Sequence, residues 1–128
     1  MTPDETRAHL AAIVEQTQAL MPREWVDEDS PTPVECRRPT GEVGATFTAS
    51  RHFEGAAPTD AELEAVAALW EQRGLLVGRG PRAIGALLGV DQSDPAFYLQ
   101  LRVTDQASWL SGQAPCVEGD AIALAQPE

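Results

Sequence analysis

In the stretch AFYLQLRV, residues 96–103, Phe97, Leu99, Leu101 and Val103 alternate with Tyr98, Gln100 and Arg102. A period of two sends one set to the core and the other to solvent, the signature of a half-buried strand. Only TDQA separates it from the next apolar stretch, SWLSGQAP. A link that short joins antiparallel strands, because a parallel crossover takes about a dozen residues or more. The preceding AIGALLGV reaches the same stretch through DQSDP, so the last third of the chain reads as a meander. Whatever else the chain does, it must complete an antiparallel sheet.

Two helices supply the cover. In TPDETRAHLAAIVEQTQALMP, Thr2 and Glu5 form a capping box, Pro3 sits at the first helical position, and Pro22 stops the helix near Met21. Leu10, Ile13, Val14, Thr17 and Met21 share one stripe. Thr59 and Glu62 repeat the box ahead of a second helix with the stripe Leu63, Val66, Ala67 and Trp70; Gly74 closes it, and LLVGRG follows as a strand. Between the helices, VECRR is a short strand with Val34 and Cys36 on one face. Val43, Ala45, Phe47, Ala49 and Phe53 then alternate with Thr46, Thr48, Ser50 and His52 as one longer strand, with Arg51 interrupting the apolar side. REWVDEDSPTP is a surface loop pinned by Trp25 and Val26. The expectation is an α+β two-layer sandwich: an antiparallel sheet of four to six strands with two helices on one face. Residues 1–128 make a single domain, with a core at about 3–117 and a tail at 118–128 expected to fray.

Charge narrows the function. Twenty acidic residues face nine basic ones, for a net charge of −11. Nucleic acid and anionic membrane surfaces both require a basic patch, so neither is an expected partner. All nine basic residues are arginine; without lysine there is no Schiff base and no phosphate-binding lysine of the Walker type. No apolar run approaches the roughly 18 residues of a membrane span, and no signal peptide opens the chain. The chain is therefore expected to be cytosolic, or to be exported by a signal absent from this sequence.

Few residues qualify for chemistry. His9 and His52 lie in separate elements, and neither is spaced from a cysteine or carboxylate as metal ligands are. A Cys36–His52 nucleophile and base would need a free thiol. The acidic run Asp27 to Ser30 lacks the glycine and terminal glutamate of a calcium loop and reads as solvated. GRGPRAIGALLG, with Arg79 and Arg82, lacks the strand–GxGxxG–helix order, and Pro81 makes it a turn. Ser30, Ser50, Ser93, Ser108 and Ser111 all lie outside a GxSxG elbow. No catalytic, cofactor or metal site is assigned, and no cofactor is expected; the polar set Thr46, Thr48, Ser50 and His52 suits contact.

Cys36 and Cys116 are the only cysteines, 80 positions apart. Composition leaves two readings open: two buried thiols, or one bridge. The order of features here is the TR of the first helix (Thr6, Arg7), the Trp25 loop, VECRR, the helix end LWEQRG before a strand, and the late APCVEG. It resembles small actinobacterial cell-envelope lipoproteins of unknown function, LppA-like, over about Thr6 to Gly119. That resemblance implies a structural disulfide between Cys36 and Cys116 and an extracytoplasmic, cell-envelope setting. It also implies an upstream lipid-bearing cysteine after a signal peptide, a segment this sequence lacks, and it carries no catalytic residues. The expected function is therefore a non-enzymatic envelope domain binding a partner protein or small ligand. The alternatives are a cytosolic acidic binding protein, such as an immunity protein or secretion chaperone, and an enzyme with a site the motifs do not reveal.

Overall fold

The computed structural model describes residues 1–80 and 86–125. Both capping boxes close. Thr2 Oγ1 accepts from Glu5 N (3.2 Å) while Glu5 Oε1 accepts from Thr2 N (3.1 Å), opening α1 (Pro3–Leu20). Thr59 and Glu62 do the same for α2 (Asp60–Gln72). Gly74, at φ +87°, ends α2 in the left-handed conformation that favours glycine.

The strands are β1 (Val26–Asp27), β2 (Val34–Arg37), β3 (Val43–Thr46), β4 (Thr48–Glu54), β5 (Leu75–Arg79), β6 (Leu87–Asp91), β7 (Tyr98–Val103) and β8 (Ala107–Gln113). Six form one antiparallel sheet in the order β1-β4-β8-β7-β6-β5; β2 and β3 form a separate hairpin. The meander β6 to β8 is the element the short links require, and β5 pairs beside it as the edge strand. Helices α1 and α2 cover one face of the large sheet, giving the α+β two-layer arrangement. Val66, Ala67 and Trp70 of α2 and Ile13 and Val14 of α1 meet Leu99, Leu101 and Leu110 of the sheet in one core. Thr17, buried on the α1 stripe, donates from Oγ1 to Ile13 O (2.7 Å), which satisfies its hydroxyl inside the helix.

The expected long strand over 43–53 is two strands. The chain leaves the hairpin at Thr46 and enters the large sheet at Thr48, so Ala45, Thr46 and Phe47 are buried in succession at the crossing. Thr46, expected on the polar face, is fully buried and donates to Ala114 O (2.6 Å). Val43, expected inside, is 54% exposed, and Val34 is exposed as well. The period breaks because the chain changes sheets, and with them the face that is covered. Trp25 does anchor its loop, donating from Nε1 to Met21 O (2.9 Å) and meeting Phe53 edge-on. Val26 does not; it pairs in β1 and is 48% exposed.

Beyond β8 the chain stays on the protein. Val117 and Ala45 exchange backbone hydrogen bonds, and Ala121 is buried at the start of a one-turn helix, α3 (Ala121–Ala125), which contacts β2 and β3. Residues 126–128 lie outside the described residues.

Candidate functional site

Cys36 and Cys116 are joined by a disulfide, with Cα atoms 5.9 Å apart. This decides between the two readings that composition left open. The bond ties the β2–β3 hairpin to the segment following β8. Gly44 makes the approach possible: a Cβ there would stand 2.3 Å from Val117 O and 3.1 Å from Cys116 Sγ. Thr6 Oγ1 donates to Pro115 O (2.6 Å), so α1 holds the same segment from the other side. A disulfide of this kind persists in an oxidising setting.

Beside it lies a cleft of about 370 Å³ lined by Met1, Arg38, Pro39, Asp94, Pro115 and Glu118. Two of its polar side chains are engaged within the fold, while Arg38 Nε is buried without a hydrogen-bond partner. Asp94 accepts from Cys116 N (2.9 Å) and Ala96 N (3.2 Å), and Arg38 pairs with Glu42 (3.3 Å).

The acidic run at 27–30 is also structural. Arg51, on the helical side of β4 and 8% exposed, donates from Nη2 to Asp29 Oδ2 (2.8 Å) and from Nη1 to Gln18 Oε1 (2.7 Å). Asp29 Oδ1 accepts from Ser50 N (2.8 Å). Burial pushes the Asp29 carboxyl up, but the hydrogen bonds from Arg51 and Ser50 and the Arg51 charge outweigh it and hold it below the usual aspartate range. One aspartate thus binds the loop to β4, and Arg51 carries the link on to α1. Among the described residues no group of three or more His, Cys, Asp or Glu is arranged to hold a metal ion.

Among the described residues no helix packs on the face of the large sheet opposite α1 and α2, and several of its side chains are exposed. Register across β1, β4, β8 and β7 sets Val26, His52, Trp109 and Arg102 in one row. Ser50, Ser111, Gln100, Leu88 and Gly78 form the next, across β4, β8, β7, β6 and β5. A third runs Gln113, Tyr98, Val90 and Leu76. Trp109 is 40% exposed, Leu88 45% and Leu76 57%. His52 Nδ1 stands 2.5 Å from Glu28 Oε1 at the β1 edge without the angle of a directed hydrogen bond.

The remaining candidates scatter. His9 meets Phe97 edge-on at 5.2 Å, on a different element from His52. Ser108 is fully buried. Ser50 and Ser111 flank the His52 row, yet among the described residues no hydroxyl is hydrogen-bonded to either imidazole. Thr48 and Ser50 stay near His52 on β4, whereas Thr46 belongs to the buried crossing. Arg79 pairs with Glu64 (3.0 Å); Pro81 and Arg82, with the rest of the glycine-rich turn through Gly85, lie outside the described residues. Among the described residues no helix is long and apolar enough to cross a membrane.

The sequence reading missed Trp109. SWLSG alternates equally well with Ser108 and Leu110 inside or with Trp109 inside. The deciding signal is the turn: register places Val103 opposite Ser108, and Val103 faces the core, so Ser108 does too and Trp109 faces out. No family model, curated protein or solved structure matches the chain.

Proposed function

We propose that this chain is a non-enzymatic, extracytoplasmic binding domain of the cell envelope, akin to the LppA-like lipoproteins, that engages a protein partner through its open sheet face. The observation carrying this reading is the exposed row of Trp109 between His52 and Arg102, with Leu88 and Leu76 beyond it. Aromatic side chains and arginine are enriched at the centres of protein interfaces, and a broad sheet face fits a protein surface better than a small molecule. The partner's chemistry follows from charge. A chain of net charge −11, with Glu28 and Glu54 beside the row, complements a surface that is apolar at its centre and basic at its rim.

The disulfide supports an exported domain over the cytosolic alternative. The test is made on the tagged chain produced in its own cells and resolved under native conditions. Wild type is expected in a complex larger than two copies, and Trp109→Asp is expected to leave it while keeping its thermal stability. A complex unchanged by Trp109→Asp, or ester, phosphate, glycoside or peptide turnover that His52→Ala abolishes, contradicts the reading.

A further inference from the structure

The two edges of the large sheet are built differently. At one edge β1 holds two residues and runs into Glu28, Asp29, Pro31 and Pro33. Shortness, charge and proline are devices that keep an edge from pairing with another chain. At the other edge β5 offers five residues, LLVGR, with no proline and no bulge in its register with β6. Gly80 N donates to Ala86 O (3.3 Å). The alternation of an antiparallel ladder then points the backbone groups of Leu76 and Gly78 toward β6 and those of Leu75, Val77 and Arg79 outward. Among the described residues no other element hydrogen-bonds to that outer edge.

Two side-chain positions on β5 match each other. Leu76 is 57% exposed on the open face. Gly78 lies two residues on, on the same face. Its φ is outside the left-handed region, and a Cβ there would meet nothing nearer than Leu88 O at 3.9 Å. Neither backbone conformation nor crowding within its own chain calls for glycine, although glycine weakens a strand. An exposed leucine and an unforced notch sit one residue either side of Val77.

We propose that β5 pairs with β5 of a second copy, antiparallel about a twofold axis at Val77, joining the two six-stranded sheets into one. About that axis Leu76 stands opposite Gly78 of the second copy, and the converse. Each leucine fills the other chain's notch and meets Leu88, the cross-strand neighbour of Gly78, itself 45% exposed. The contact is self-complementary, as a twofold interface must be. Arg79, at the end of the edge, is already matched by Glu64 (3.0 Å) and Glu71 (4.0 Å) of its own α2. The net charge of −11 on each chain opposes the pairing, so added salt strengthens it. The pairing shares Leu76 and Leu88 with the proposed binding face but not Trp109 or Arg102, so Trp109→Asp separates the two readings: it is expected to leave the dimer intact.

Sedimentation equilibrium of the full chain at low and high salt tests it. The expected result is a reversible equilibrium between a 13.7 kDa monomer and a dimer, with the dimer fraction rising with salt. Val77→Pro removes an outward N–H and spares the ladder to β6, at the loss of Val77's packing on the core, and Gly78→Val puts into the notch a Cβ that meets nothing nearer than Leu88 O at 3.9 Å. Leu76→Ser removes the knob from an exposed position. Each is expected to weaken the dimer about tenfold or more, with thermal unfolding of dilute Gly78→Val and Leu76→Ser close to wild type. A chain that stays monomeric to about 1 mM at high salt overturns the proposal. So does a dimer that weakens with salt, or one that survives every substitution that leaves the chain folded.

Discussion

Trp70 Nε1 donates a 3.0 Å hydrogen bond to Thr17 Oγ1, joining the two helices inside the core. Both residues are fully buried, and Thr17 Oγ1 donates its own hydrogen bond to Ile13 O. The indole therefore fills volume above the sheet and finds a partner for its one polar atom. Trp70→Ala is expected to cost about 3–5 kcal/mol, as large aromatic truncations in cores do. Trp70→Phe should cost less, because the Thr17 hydroxyl keeps its bond to Ile13. Urea unfolding measures both, and a loss below about 1 kcal/mol for Trp70→Ala would contradict the packing described.

The disulfide closes a loop with a sequence separation of 80. Chain entropy alone assigns such a closure roughly 4.5 kcal/mol. The oxidised chain should weigh two hydrogens less than its reduced form, and reduction should lower the denaturant midpoint sharply. The loosened region should be β2, β3 and the segment from Cys116 onward, read by hydrogen exchange. Two alkylatable thiols in protein that has never been reduced would contradict the bond.

Glu62 serves two structures at once. It closes the capping box of α2, and it takes two hydrogen bonds from Arg23, at 2.9 and 3.1 Å, whose guanidinium lies over the Phe53 ring. The Arg23 hydrogen bonds first, and the Thr59 N–H second, hold its carboxyl below the usual glutamate value of 4.5. A carboxyl lowered by folding stabilises the fold fully above that usual value, and the contribution fades as pH falls through the lowered one. Stability should hold level above the glutamate range and decline below it, with Glu62→Gln showing a shallower acid decline. Thr59→Ala should cost about 1 kcal/mol through the lost cap. An acid limb identical in wild type and Glu62→Gln would remove Glu62 from this account.

The three tryptophans differ in exposure: Trp70 is buried, Trp25 half-buried and Trp109 exposed on the open face. Trp109→Phe should shift emission to the blue and remove most of the acrylamide-quenchable signal. Its effect on stability should stay within about 0.5 kcal/mol, as for a surface position. Unchanged quenching would mean that Trp109 is covered in solution.

Residues with local rules were legible in the sequence. Thr2 with Glu5 and Thr59 with Glu62 announce both helices, and the alternation from Phe97 to Val103 announces the sheet. Thr46, Val43 and Val34 were not legible, because their burial depends on which of two sheets each strand joins, and that is a long-range fact. Trp109 was hidden by an alternation that two phases satisfy equally. Arg51 read as an interruption of an apolar face; its partners Asp29 and Gln18 come from a loop and a helix that only the fold brings together. For Cys36 and Cys116 the residues alone left the bridge undecided, since its closure depends on Gly44 bringing β3 against Val117.

The central claim is that the open sheet face is where this domain meets its partner. A photo-crosslinking residue at position 109, compared with one at position 71 on the helical layer, tests it most directly in cells that make the protein. The account predicts one discrete adduct from position 109, lost when Arg102 and Leu88 are replaced by serine, and none from position 71. Adducts of equal yield at both positions, or at 71 alone, would contradict it.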